Sequence, residues 1–113
     1  MTTAIFKQDG CFFYIKINGH AGYTRNGADI VCAACSALTY TLLQCALSMQ
    51  AKGQAKDVRI GNAADGLFAV EVETLADTRE RFETVVDTIA TGFLLLQHKY
   101  PKNVQLHVID GTA

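Results

Sequence analysis

Apolar and polar positions along this chain alternate first in twos, then follow a helical rhythm, and then repeat both. Ala4 to Lys7 is a short apolar stretch, Gln8-Asp9-Gly10 is turn chemistry, and from Cys11 to Ile17 the residues Phe13, Ile15 and Ile17 alternate with Phe12, Tyr14 and Lys16. That pattern predicts a β-hairpin. Asn18 to Ala28 contains Gly19, Gly22, Gly27, Asn18 and Asn26, residue types that tolerate positive φ, and predicts a loop. Asp29 has the chemistry of an N-cap, and a helix-compatible run follows from it to Ala51, before Gly53. Cys32 then falls at the third helical position. One helix face carries Ile30, Ala33, Ala34, Ala37, Leu38, Leu42, Cys45 and Met49, while Val31, Tyr40, Leu43 and Leu47 make the other sides apolar too. A helix apolar nearly all round is expected to be buried nearly all round. One sheet covers only one side of it, so a second subunit is expected on the rest.

The second half repeats the layout. Val58 to Gly61 and Leu67 to Glu73 flank a turn over Asn62 to Gly66, with Phe68, Val70 and Val72 facing one way and Ala69, Glu71 and Glu73 the other. Asp77 stands three residues before Glu80 as a weak cap signal. Phe82, Val85, Val86, Ile89, Phe93 and Leu96 then keep helical spacing until His98, Lys99 and Pro101 end the helix. Val104, Leu106 and Val108 alternate with Gln105 and His107 in a final strand. The order ββαββαβ predicts an α+β two-layer sandwich, two helices on one face of a mainly antiparallel sheet. No residue-level repeat accompanies the repeated layout.

Composition narrows the function. The chain has 113 residues, half of them hydrophobic, which suits a single domain over 1–113 with a real core. Ten Lys and Arg against eleven Asp and Glu leave a formal charge of −1 with no cationic run, so nucleic acid is not expected as a direct partner. The N-terminus shows no apolar signal-peptide core, and the apolar stretches read as too short and too interrupted by Thr, Ser and Gln to span a bilayer. A cytoplasmic protein with no membrane partner is expected. In a reducing compartment Cys11, Cys32, Cys35 and Cys45 are expected to be free thiols.

The chemistry concentrates at His20 and Cys32. A histidine after a glycine is ordinarily a loop residue, and a cysteine in an apolar helix is ordinarily a small hydrophobe. Here His20 leaves a strand, eleven residues follow, and Cys32 opens a helix, an order that allows imidazole and sulfur to meet. Cysteine attacks as thiolate, a form favoured by a helix N-terminus and by a nearby imidazolium. Nucleophile and base together are the minimum for thiol acyl transfer. His20 would take the thiol proton and return one to the leaving amine, and N–H groups at the helix start would stabilise the oxyanion. Asp29 reads either as a structural cap or as a partner that orients His20. Ser36, one turn beyond Cys32, either donates into the site or bonds back to the preceding turn.

Two other readings compete less well. Cys32-Ala33-Ala34-Cys35 has the Cys-x-x-Cys form of a dithiol oxidoreductase, but the ββα order lacks the βαβ start of such enzymes. A zinc site needs four ligands, and Cys32, Cys35 and His20 give three, so no metal is expected. Cys11 and Cys45 read as core or near-core thiols, His98 as a partner of the helix C-terminus and His107 as a solvated strand residue. Arg79, Glu80, Arg81, Glu83 and Asp87 form the wet face of the second helix.

At Gly19-His20-Ala21 and Gly27-Ala28-Asp29-Ile30-Val31-Cys32-Ala33-Ala34-Cys35-Ser36-Ala37-Leu38 the sequence resembles the ribosomal-processing cysteine protease family (Prp). The resemblance covers effectively the whole chain. It implies a homodimeric cysteine endopeptidase that needs no cofactor and removes the N-terminal extension of a large-subunit ribosomal protein, cutting after a pair of aromatic residues. It makes His20 and Cys32 the catalytic dyad and Asp29 and Ser36 its supports. It places Gly19, Ala21, Gly22 and Gly27 in a substrate loop whose Gly22 to Gly27 part is expected to close over the cleaved segment and align His20 with Cys32. Cys35 departs from the family pattern, in which a small or branched apolar residue is usual, and introduces a second thiol one turn from the first. The competing expectation is a non-enzymatic dimeric module that binds a ribosomal protein.

Overall fold

The computed structural model describes residues 1–23, 29–61 and 66–110. The elements are β1 (Thr2–Asp9), β2 (Phe12–Asn18), α1 (Ile30–Ala51), β3 (Ala55–Ile60), β4 (Leu67–Thr74), α2 (Arg79–Lys99) and β5 (Val104–Asp110). The sheet runs β3-β4-β2-β1-β5. Its first three pairings are antiparallel, while β5 lies parallel to β1 with Thr2 opposite Val104. The α+β order and mainly antiparallel sheet match expectation, and the parallel pair follows from α2, which crosses from one end of the sheet to the other.

Alternation along the strands sorts the two faces. Ala4, Phe6, Phe13, Ile15, Ile17, Val70 and Val72 are buried under the helices. On the opposite face Arg59 pairs with Asp57 at 3.3 Å and Glu71 at 3.1 Å, exposed ion pairs that contribute little to stability. Helix α2 is fixed to the sheet by edge-to-face ring contacts, Phe13 with Phe82 at 4.9 Å and Phe6 with Phe93 at 5.9 Å. Its Glu83 accepts from Gln8 Nε2 at 2.8 Å and pairs with Arg79 at 3.1 Å, which ties the wet face of the helix to β1.

Several local readings are corrected. The first hairpin turns at Gly10-Cys11, because Gln8 and Asp9 remain paired in the ladder, Asp9 opposite Phe12. Strand β1 starts at Thr2 and β3 at Ala55, since ladder pairing with β5 and β4 extends them past their apolar cores. Asp77 does not cap α2. Thr78 occupies that position, and its hydroxyl donates to Gln54 O at 2.6 Å and accepts from Leu75 N at 3.1 Å. Along β5, an edge strand, Val104 is buried but Val108, which shares its alternation, is exposed near the strand's end.

Helix α1 departs most. Its core face is Val31, Cys35, Thr39, Leu42, Leu43, Ala46 and Met49, whereas Ile30, Ala33, Ala37 and Tyr40 face outward. A helix apolar on every side carries almost no periodic signal about which side the sheet takes. By length and composition this helix is also apolar enough to cross a membrane, contrary to expectation. In the fold it packs on α2 and β3. The turn expected at Asn62 to Gly66 lies outside the described residues except for Gly66.

Candidate active site

Three chain segments converge where β2 ends, α1 begins and β4 starts. Asp29 caps α1 as expected: its Oδ1 accepts from Val31 N at 3.0 Å and from Cys32 N at 2.9 Å. Its Oδ2 accepts from Tyr23 N at 3.0 Å, so one carboxylate joins the helix to the loop leaving β2. The cap has a second consequence. Val31 N and Cys32 N are held by the Asp29 side chain and Ala33 N by its carbonyl at 3.1 Å, so these three amides of the first turn, where oxyanion donors are expected, already have an acceptor within the cap.

Cys32 is half-buried. Its sulfur accepts a hydrogen bond from the Ala21 N–H, with nitrogen to Sγ at 3.2 Å. His20, one residue earlier, is exposed. Both line one cavity of about 390 Å³, together with Gly19, Ser36, Gly66 and Thr2, and with walls of Ile17, Tyr40, Leu67 and Phe68. Tyr40 and Phe68 meet edge-to-face at 6.5 Å. The cavity has the size of a small-ligand or side-chain pocket and combines a thiol and an imidazole with aromatic walls.

The backbone before His20 is narrowly constrained. Gly19 has φ 92, its N–H donates to Gly66 O at 2.7 Å, and a Cβ built on it would collide with the Met1 carbonyl oxygen. Gly66 has φ 72, and a Cβ there would stand 2.9 Å from His20 Nε2. Gly66 is thus a surface against which the imidazole rests. The sequence marks it only as the end of a turn, because nothing local connects it with a histidine in the loop after β2. Tyr40, Phe68 and Leu67 carry only helix and strand signals in the sequence for the same reason.

Cys35 also touches the cavity but is a different kind of thiol. It is 4% exposed, and burial, reinforced by the neighbouring Cys32 and Asp29 charges and opposed by a hydrogen bond with Thr2, pushes its pKa up to about 11. At pH 8 only about one Cys35 in a thousand is thiolate. One equivalent of iodoacetamide at pH 8 is therefore expected to label Cys32 well ahead of Cys35, as read by peptide mass. Folding also holds the Cys35 proton above the pH at which the unfolded thiol loses it. This contribution to stability is intact below the unfolded value of 9.0 and declines as pH rises toward about 11.

The remaining candidates fall into place around these. Ala21 is 1% exposed, and Gly22, at φ 69, continues the loop into Tyr23, whose ring meets Tyr100 at 5.2 Å. Gly27, and with it the closing segment expected over Gly22 to Gly27, lies outside the described residues beyond Tyr23. All four cysteines are free thiols, Cys11 and Cys45 half-buried. His98 lies in the last turn of α2 and His107 is exposed on β5. Among the described residues no group of three or more His, Cys, Asp or Glu side chains has a metal-binding arrangement.

The fold is shared with solved proteases. The chain superimposes on the S. aureus ribosomal processing protease Prp bearing a covalently linked product peptide, with a TM-score of 0.73 at 19% identity, over 96% of this chain and 99% of that one. The same protease with a substrate peptide gives 0.68 at 18% identity, again over 96% and 99%. SMU.848 from Streptococcus mutans gives 0.70 at 22% identity over 97% and 95%. No curated protein matches the chain. Sequence identity this low establishes the fold alone, but the family model for cysteine protease Prp matches residues 1–105. On that match, which spans every element up to the start of β5 and includes both His20 and Cys32, the chain belongs to the cysteine protease Prp family.

Proposed function

We propose that this chain is a cysteine endopeptidase that removes the N-terminal extension of a large-subunit ribosomal protein, with Cys32 as nucleophile and His20 as general base. The observation that carries the reading is that the half-buried Cys32 thiol and the His20 imidazole line one cavity with aromatic walls. Cys32 Sγ attacks the scissile carbonyl carbon while His20 takes the thiol proton. The tetrahedral intermediate collapses as His20 returns that proton to the leaving amine, giving a thioester. Water, deprotonated by His20, then attacks the thioester, and the thiol reforms as the acid product leaves. The reaction needs no metal or cofactor. Asp29 supports it by fixing the helix start and the loop together, and Ser36 by its place in the cavity wall.

The substrate assignment follows the family. The S. aureus protein of this fold is a ribosomal processing protease with a structure holding a substrate peptide. An aromatic residue before the cut suits walls made by Tyr40 and Phe68. The protein acts in the cytoplasm, without nucleic acid or membrane as partner, and as a homodimer. A second copy would cover exposed apolar side chains such as Ile30 and Leu95, which are 60% and 66% exposed.

The test is to mix the protein with a ribosomal protein carrying its N-terminal extension and to weigh the product. Loss of the extension as one mass step is expected; an unchanged mass overturns the proposal. Cys35→Ala should retain cleavage within about twofold, since the protonated, buried Cys35 takes no part in the steps above. A dithiol oxidoreductase would lose its activity in that variant.

A further inference from the structure

Asn103 stands in the turn between α2 and β5, 82 positions after Ala21, yet its Nδ2 donates to the Ala21 carbonyl at 2.9 Å. Ala21 is the residue whose N–H points at Cys32 Sγ from 3.2 Å. It is held from both sides, by a carboxamide at its carbonyl and a sulfur at its amide, while being 1% exposed. Asn103 is itself fixed by main-chain bonds. Its N–H donates to Tyr100 O at 2.9 Å, and its carbonyl accepts from Thr2 N at 2.8 Å, where β1 begins. Beside it the Tyr100 ring meets Tyr23 edge-on, so the same turn braces the loop at a second point two residues further on.

We propose that Asn103 is a positioning residue for the cysteine nucleophile: by anchoring the Ala21 carbonyl it keeps the Ala21 N–H aimed at Cys32 Sγ. The inference rests on the reading of Cys32 as nucleophile. A hydrogen bond to a charged acceptor is stronger than one to a neutral acceptor, so an N–H held on the sulfur favours the attacking form. Direction matters because such bonds weaken steeply as they bend. Without the carboxamide, the buried Ala21 carbonyl would lack its Asn103 donor and the chain would turn to seek another. The carbonyl and the N–H flank one Cα, so on this proposal the shift is passed through that atom to the N–H on the sulfur. It also moves the peptide that begins at His20.

The test reads the thiol directly. Iodoacetamide alkylation of Cys32 is followed by peptide mass from pH 5 to pH 9 in the wild-type protein, in Asn103→Asp, which keeps the shape but loses the donor, and in Asn103→Ala. Thermal melting monitors the fold. In the folded variants alkylation at pH 7 is expected to fall roughly threefold to tenfold, and the half-maximal pH to rise by about half to one unit. Cleavage should lose kcat to a similar extent with KM little changed. A lower melting temperature with an unmoved alkylation profile would show a purely structural residue and overturn the proposal. Should neither variant fold, the wild-type protein labelled with ¹⁵N supplies the test. Its Ala21 amide proton is expected to shift through the same pH midpoint as the alkylation rate, and a stationary resonance overturns the assignment. An unmoved profile beside an inactive Cys32→Ala removes Asn103 alone, whereas full cleavage by Cys32→Ala removes the nucleophile itself.

Discussion

Cys32→Ala is expected to reduce cleavage of the extended ribosomal substrate by about 10⁴-fold or more, to the limit of detection by product mass. In the proposed mechanism this sulfur makes the bond that splits the reaction into two easier steps, and no shift of His20 replaces it. His20→Ala removes the proton carrier rather than the attacking atom and is expected to cost about 10² to 10⁴ in kcat. The two act as a unit, so the double variant should be scarcely worse than Cys32→Ala alone. Substrate binding is the contrasting measurement. Both side chains are only part of a cavity whose walls are Ile17, Tyr40, Leu67 and Phe68, so inactive Cys32→Ala should still hold the aromatic segment. Cleavage by Cys32→Ala at the wild-type rate would remove Cys32 as the nucleophile, whereas binding of the segment with no cleavage by the wild-type protein would leave a binding module in place of an enzyme.

The second large effect is expected at glycines beside the dyad. Gly19→Ala places a methyl group against the Met1 carbonyl oxygen, a backbone atom that no rotamer change moves away, and does so at φ 92. Left-handed strain and the clash together should cost about 2–5 kcal/mol, read as a lower denaturation midpoint. The exit of β2 must shift to relieve it, and His20 shifts with it, so activity falls in the molecules that remain folded. Gly66→Ala separates the two consequences. Its new methyl would stand 2.9 Å from His20 Nε2, the end of a side chain that is able to swing aside. Its stability loss should be near the 1 kcal/mol of the φ 72 conformation, while kcat falls further than that loss explains because the imidazole no longer rests where it did. Equal activity in Gly66→Ala and wild type would contradict the role given to this surface.

Local chemistry made some features legible in the sequence and left others hidden. Asp29, the helix start and the third-position cysteine could be read directly, since a cap acts on amides two and three residues away. The alternation of Phe13, Ile15 and Ile17 gave the buried face of β2, and Phe82, Val86, Ile89 and Phe93 gave that of α2. What remained hidden depends on contacts between distant segments. Neither Gly66 under His20 nor Asn103 behind Ala21 carries a local mark, and the Ala21 N–H on the sulfur belongs to backbone that any residue supplies. The orientation of α1 was misread because its apolar residues surround the axis, so its burial is decided by what the sheet and α2 leave room for. The same cap that makes the helix start recognisable also engages the Val31 and Cys32 amides, which the sequence cannot show.

The parallel pairing of β5 with β1 also governs when competence can arise. Thr2 meets Val104 across almost the entire length of the polypeptide, and the Thr2 amide bonds to the Asn103 carbonyl at that junction. Closure over so long a span carries an entropic cost that must be met before its contacts reward it. During synthesis the segment bearing the thiol leaves the ribosome well before its last brace exists. On the reading of Cys32 as nucleophile, a nascent molecule would carry its thiol before the Asn103 carboxamide behind Ala21 is in place.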